Sequence, residues 1–299
     1  MRARLAQWLG LDPTGVSSLL ISQPAALALG FVASIWLLLR AGKSMGLRQR
    51  EVAELLIAAY LGALVAGRFL DMLTWGADFW SQPWRIADPW FGGASTLGGL
   101  LGATAGVVWL GRRRGLDIVR FLDAAAPVGG VTVALFKSGC FLAGCCYGQR
   151  SDGLLGLRFP ASSLVYYHQV GLGLIDSHYH DSLPVLPVQL FEAGWGLLVA
   201  LGLWGTRPWL RQYAGGSFTL GAMLLLGGRT GIEALRGGQV ATMLGLTAGQ
   251  ITCIFFMLVL VLVWWGPWRE QVLTWLRPGP APSPLSLPAG DPPTPEQPG

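Results

Sequence analysis

The sequence predicts an all-α, polytopic membrane helix bundle of about seven transmembrane helices. Composition is the first reason. Only 12% of the 299 residues are charged, 52% are hydrophobic, and the mean hydropathy is +0.49, whereas a soluble domain carries about 25% charged residues. The second is the presence of 14 Trp and 43 Gly. Trp favours membrane interfaces, and Gly is commoner in membrane helices than in soluble ones. The third is that the basic residues sit in short clusters between apolar runs, a signature of topology. The net charge of +5 is therefore assigned to loop orientation and not to nucleic acid. Four cysteines in a chain of this length make no disulfide framework.

Residues 1–22 lack a continuous apolar stretch ending in small residues, so they are read as an amphipathic segment anchored by Trp8, not as a signal peptide. Seven apolar runs follow, from Pro24 to Leu39, Val52 to Leu70, Gly92 to Leu110, Phe121 to Ala143, Gln189 to Gly205, Gly216 to Leu235 and Leu246 to Trp265. Each approaches the roughly 20 residues that a spanning helix needs once its flanks are counted. A Trp-rich acidic loop, Asp71 to Phe91, separates the second and third runs. A long polar segment, 149–187, holds all three histidines, and no role is assigned to them. Residues 278–299 are Pro-rich without apolar periodicity and are expected to be disordered. The domain plan is thus a segment 1–22, a membrane domain 23–277 and a tail 278–299.

Charge orients the bundle. Arg40, Lys43, Arg48 and Arg50 follow the first run, Arg112, Arg113, Arg114 and Arg120 the third, Arg207 and Arg211 the fifth, and Arg269 and Arg277 the seventh. The intervening loops hold fewer basic residues. By the positive-inside rule the N-terminus and the segment 149–187 face outward and the C-terminus is cytoplasmic.

The stretch Lys137 to Gly148 closes the fourth run with a lone cation, three of the four cysteines and three glycines. Ionisable groups in membrane spans are expensive and mark function. Arg68, Lys137, Arg229 and Glu233 are such groups, although Arg68 and Lys137 need only snorkel to an interface. Arg229 and Glu233 are i and i+4 on one helix face and can neutralise each other. Converging cations suit a lipid phosphate. Gly92 to Gly99 opens the third run; its composition favours close helix packing over phosphate binding. For Cys140, Cys145 and Cys146 four readings stay open: packing, a disulfide, a metal site or a reactive thiolate lowered by Lys137. Their spacing is not a zinc pattern, and no metal and no cofactor are expected. Glu192 lies in the first turn of the fifth run beside Gln189, as a cap or as a lining residue.

In order, these motifs resemble the prolipoprotein diacylglyceryl transferase family from about residue 24 to 266. Gly92–Gly99 is similar to the family's Gly-Gly-x-x-x-His-Gly-Gly. Lys137–Gly148 is similar to Arg-x-Gly-Asn-Phe-x-Asn-Gly-Glu-x-x-Gly, and Pro187-x-Gln189-Leu190-Phe191-Glu192 to Pro-Ser-Gln-Leu-Tyr-Glu. Arg229-x-x-x-Glu233-x-x-Arg236, then Thr247-x-Gly249-Gln250, are similar to its late Arg/Glu segment and the start of its last helix.

The resemblance implies a bacterial inner-membrane, multi-pass enzyme of lipoprotein maturation. It moves a diacylglyceryl group from phosphatidylglycerol to the lipobox cysteine of a prolipoprotein and releases glycerol phosphate. It implies catalytic roles for Lys137, Cys140, Cys145, Cys146, Arg229 and Glu233. Lipid would be bound by Arg68, Gly98, Gly99, Gly139, Gly144, Gly148, Gln189, Glu192 and Arg236. This sequence departs from the family where His becomes Leu97, Arg becomes Lys137, the two Asn become Cys140 and Ala143, and Glu becomes Cys145. The alternatives are another acceptor, a cysteine acting as covalent relay, or a lipid-binding or transport protein on the same scaffold.

Overall fold

Helices build most of the described structure. The computed structural model describes residues 23–73, 95–161, 163–237, 241–243, 245–267 and 269–277. The expected segment 1–22, most of the loop 71–91, Gly92 to Ala94 and the tail 278–299 lie outside the described residues. The elements are α1 (Gln23–Ser44), α2 (Gln49–Leu73), α3 (Thr96–Arg114), α4 (Ile118–Ala143), α5 (Leu164–Gly171), α6 (Val188–Leu210) and α7 (Gly216–Glu233). They continue with β1 (Ala241–Met243), β2 (Leu246–Thr247), α8 (Ala248–Trp265) and α9 (Arg269–Leu276). The two strands pair antiparallel between α7 and α8. Among the described residues, four helices are long and apolar enough to cross a membrane: Gln49–Met72, Ile118–Ala143, Val188–Leu210 and Ala248–Trp265.

The helix ends follow local sequence. Ser95 caps α3 by accepting from the Gly98 N–H, and Asp117 caps α4 by accepting from the Arg120 N–H. Gly115 and Gly144 end these helices at φ 63° and 74°, the left-handed conformation that glycine adopts without strain. Thr247 and Gln250 form a reciprocal capping box at the start of α8. Asp123, inside α4, accepts from the Gly215 and Phe218 N–H groups and so satisfies the start of α7 across the bundle.

Small residues set the helix contacts. Gly98, Gly102 and Gly106 recur every fourth residue along α3. A Cβ at these positions would come within 2.3, 2.0 and 2.2 Å of carbonyl oxygens of Ala66, Gly62 and Ala58 on α2. This is the small-xxx-small packing expected of membrane helices. Gly130 of α4 and Gly196 of α6 make the same kind of contact, each facing the other's carbonyl. Leu38, Val52, Leu55, Val107, Ile118, Phe121 and Val128 fill the space between α1, α2, α3 and α4. Outward, Trp36, Leu64, Val65, Leu201, Phe255 and Leu262 are exposed. An apolar exterior on this scale marks a surface that does not meet water.

The segment 149–187 is more ordered than its polar composition predicts. It contains α5, capped by Ser163, and its own small core of Phe159, Val165 and Val185, packed under Phe141 and Tyr147. Isolated bridges join Arg150 and Leu157 to Val185, and Pro160 to Asp181.

Two substitutions test the helix contacts. Gly102→Val should destabilise the bundle by about 1–3 kcal/mol, because the new side chain must push α2 and α3 apart. Gly202→Ala on α6, where a Cβ meets open space, should leave stability unchanged or raise it slightly. Thermal unfolding of the purified variants in one detergent gives both values.

Candidate functional site

A chain of alternating charges lies where the end of α4, the start of α6 and the end of α7 meet. Lys137, in the last two turns of α4, pairs with Glu192 of α6. Glu192 also accepts from Arg229 Nη1 of α7 at 2.5 Å. The Arg229 Nη2 group reaches Glu233 at 3.3 Å, and Arg236, just beyond α7, reaches Glu233 at 3.3 Å. Glu192 and Glu233 are buried, with side chains 7% and 4% exposed. Helical spacing brings Arg229 and Glu233 together, but the pairing of Lys137, Glu192 and Arg229 is tertiary. The sequence places Glu192 in the first turn of α6, but that turn holds no acidic residue; Glu192 lies beyond it, where it is a shared counter-ion.

Glycines and amides frame this chain of charges. A Cβ at Gly249 would come within 2.8 Å of Glu233 Oε1, so Gly249 lets the N-terminus of α8 approach a carboxylate, which the helix dipole favours. Gln250 donates from Nε2 to the Thr230 carbonyl and ties α8 to α7. Gln189, fully buried, donates from Nε2 to the Cys145 carbonyl at 2.6 Å, while its Oε1 has no partner among the described residues. Gly148 lies where three segments meet. Its N–H donates to the Leu186 carbonyl, and a Cβ there would meet Val188 and Leu186.

A cavity of about 390 Å³ opens beside the charges. Its lining combines the apolar side chains of Val133, Phe136, Trp195, Leu225, Leu226 and Ile232 with Lys137, Cys146, Glu192, Arg229 and Arg236. The Trp195 indole donates to the Leu224 carbonyl and occupies space that only glycine leaves at Gly228. Gly228 thus serves a side chain of α6, and α7 runs unbroken through it. A larger cleft of about 720 Å³, lined by Ser44, Asp117, Arg120, Asp123, Arg211 and Arg277, lies around the other end of α4. It is about 20 Å away along the helix.

The three thiols of the central stretch converge. Gly144 turns the chain back, and the Sγ atoms of Cys140, Cys145 and Cys146 all lie within 4.8 Å of one another. Hydrogen bonds from the Cys140 and Cys145 thiols, with the charges of Arg236 and Lys137, hold the Cys146 thiol below its usual range. Hydrogen bonding within the cluster pushes the Cys145 thiol up.

The family described as prolipoprotein diacylglyceryl transferase matches residues 25–266. The chain belongs to the prolipoprotein diacylglyceryl transferase family. A phosphatidylglycerol–prolipoprotein diacylglyceryl transferase of Xylella fastidiosa (strain 9a5c) is 29% identical over 265 residues, covering 82% of this chain and 85% of that protein. The protein of that name from Stenotrophomonas maltophilia is 30% identical over 253 residues, covering 79% and 84%. The one from Clostridium tetani is 24% identical over 240 residues, covering 80% and 90%.

Set on this member of the diacylglyceryl transferase family, the sequence-predicted site residues divide into two groups. Lys137, Glu192, Arg229, Glu233 and Arg236 meet in the charge chain, with Cys146 on the cavity wall beside them. Gln189, Gly144 and Gly148 hold the backbone around that wall, and buried Gly139 lies in the last turns of α4. Arg68, Gly98 and Gly99 belong to the α2–α3 pair and do not line the cavity. Sequence reasoning missed Trp195, and it read Gly249 and Gln250 only as part of a family motif, with no role in the site. The capping-box spacing of Thr247 and Gln250 was the available signal for the last. His168, given no role, contacts the hydroxyl of Tyr147 through Nδ1.

Removing the shared counter-ion should be costly. Glu192→Ala leaves Lys137 and Arg229 facing each other in a buried site and should destabilise the protein by about 3–5 kcal/mol. The double variant Glu192→Gln/Lys137→Gln should recover part of that loss. A double-mutant cycle on denaturation midpoints measures the coupling.

Proposed function

We propose that this chain transfers a diacylglyceryl group from an anionic, phosphatidylglycerol-like phospholipid to a cysteine thiol of a prolipoprotein. The observation that carries this is the cavity's shape and polarity. Apolar side chains and the cations Lys137, Arg229 and Arg236 line one cavity, which suits a molecule with acyl chains and a phosphate. The reaction is the one for which the relatives from Xylella fastidiosa and Stenotrophomonas maltophilia are named.

The residues divide the work by charge. Arg229 and Arg236 present guanidinium N–H groups held in place by Glu192 and Glu233, and Lys137 adds a point charge. These cations stabilise the charge that gathers on the phosphate as it leaves. They also favour the thiolate form of an acceptor sulfur brought beside them. In the transfer the sulfur bonds to the glyceryl carbon and the carbon–oxygen bond to phosphate breaks. Glycerol phosphate departs, and the thiol proton leaves with it. Lys137 stands where the family pattern has Arg. It keeps the charge and gives up the planar two-bond grip, and the paired Arg229 and Arg236 supply guanidinium groups nearby.

The same proposal includes a multi-pass, seven-span arrangement in a bacterial inner membrane, with the site on the outward side. The basic residues of alternate loops gather at one end of the bundle. Arg207 donates to Ser44 Oγ at 2.5 Å and Arg211 to the Ser44 carbonyl at 3.2 Å. Arg112 donates to the Trp275 carbonyl and lies over the Trp275 ring. Arg40 covers Trp36, and Arg269 covers Trp264. Arginines over tryptophans suit the interface of a cytoplasmic face. The charge chain lies at the opposite end of α4, where the thiol of an exported protein would arrive.

Activity is tested by complementation. In bacteria depleted of their own diacylglyceryl transferase, this chain should add a diacylglyceryl mass to a reporter lipoprotein. Arg229→Ala should lower product at least about 100-fold while the protein still reaches the membrane. Absence of the mass shift with wild-type chain present in the membrane would defeat the proposal. Orientation is tested at Leu154, which is fully exposed in the segment 149–187. Leu154→Cys should react with an impermeant maleimide added outside intact spheroplasts. Labelling only after permeabilisation would invert the topology.

A further inference from the structure

The thiol cluster is left unused by the charge chain. Cys140 sits in the last turn of α4, Gly144 reverses the chain at φ 74°, and Cys145 and Cys146 follow at once. The Cys145 N–H donates to the Cys140 carbonyl at 3.2 Å, which closes the turn. Gln189 pins the Cys145 carbonyl from α6. Cys146 takes φ 56°, the one positive φ at a non-glycine among the described residues. A side chain in that region is strained and persists where the surroundings enforce it. The result is three sulfur atoms within 4.8 Å of one another, one of them on the cavity wall.

Distance, donor type and charge agree on one class of ligand. A tetrahedral ion with metal–sulfur bonds of about 2.3 Å holds its sulfurs about 3.8 Å apart, so the thiols need close by no more than about one ångström. Three sulfurs without an oxygen donor exclude Mg²⁺ and Ca²⁺, which require oxygen ligands, and suit borderline-soft metals. The adjoining Lys137, Arg229 and Arg236 against Glu192 and Glu233 leave one positive charge. Three thiolates around a divalent ion carry one negative charge and cancel it. A monovalent ion would leave the buried site charged.

We propose that Cys140, Cys145 and Cys146 form a three-sulfur site for a divalent thiophilic cation of the Zn²⁺ class, with its fourth position open towards the cavity through Cys146. Three protein ligands with one open position is the arrangement of a zinc site that acts on a substrate and not one that only braces a fold. The sequence spacing Cys-x4-Cys-Cys hid this site, because the left-handed turn at Gly144 brings the sulfurs together.

The full-length chain, purified in detergent and reduced without oxygen, is titrated with Co²⁺ alone. Near-ultraviolet thiolate-to-cobalt charge-transfer absorption should saturate at a single ion per chain and be bleached by an equivalent of Zn²⁺. Cys140→Ser and Cys146→Ser should each weaken Co²⁺ binding at least tenfold. Cys253→Ser, on α8 outside the cluster, should keep the wild-type absorption. Cys140 is buried, so gel filtration first shows that its variant is intact, and Cys146→Ala on the cavity wall provides an independent second loss. No charge-transfer absorption in the reduced wild-type chain overturns the proposal, as does absorption that Cys146→Ser and Cys146→Ala leave intact. A disulfide within the cluster, found by alkylating thiols in intact cells before mass mapping, overturns it too. The readout is metal binding and not product, so a chain inactive in the transferase assay still decides it.

Discussion

Glu192 is the group on which the site depends. It is a buried carboxylate at the start of α6, and it faces a lysine from α4 and an arginine from α7. A single buried charge in such a place would be very costly. The two cations that remove this cost come from different helices, so the carboxylate is satisfied only when α4, α6 and α7 are in register. Glu233 repeats the arrangement one step along, between Arg229 and Arg236 and against the N-terminus of α8. Buried ion pairs add little net stability compared with well-packed apolar groups. Their effect here is to fix which residues of four helices stand side by side, and that alignment is what a phosphate would meet.

Glycine does the complementary work. The contacts of α2 with α3, and of α4 with α6, are made by backbone approaching backbone. Such contacts need no polar partner and no large side chain, so the apolar residues are free to face outward. The bundle is consequently polar at its ends and apolar on its flanks. The basic residues collect at one end, over tryptophans, and the charge chain at the other. The cavity between α4, α6 and α7 offers apolar side chains and cations together.

The cysteines set this chain apart from the pattern of the family to which it belongs. On the resemblance drawn from the sequence, Cys140 and Cys145 stand at positions that are Asn and Glu in the family pattern, and Cys146 is next to Cys145. Cys140 lies in the last turn of α4 and Cys145 and Cys146 follow it, while the charges come from Lys137 on α4, from α6 and from the end of α7. The lowered Cys146 thiol is a consequence of this neighbourhood, in which two thiols donate to it and Arg236 and Lys137 stand close.

The sequence by itself determined the long helices and the family. Apolar runs of spanning length are local signals, and α1, α2, α3, α4, α6, α7 and α8 formed over the seven runs, while the short α5 and α9 had no such signal. The spacing of Arg229 and Glu233 also put them on one face. Only the tertiary structure decided the rest. Glu192 had no partner within its own helix, so nothing near it in sequence disclosed that Lys137 and Arg229 would share it. Gly98 and Gly228 were visible as glycines, but what each accommodates, a carbonyl of α2 or the indole of Trp195, belongs to another helix. The core of the segment 149–187 was hidden by its polar composition, since a few buried residues such as Phe159, Val165 and Val185 suffice to order it. Periodicity reports what one helix buries; which charge meets which depends on helices far apart in the chain, and only their packing settles it.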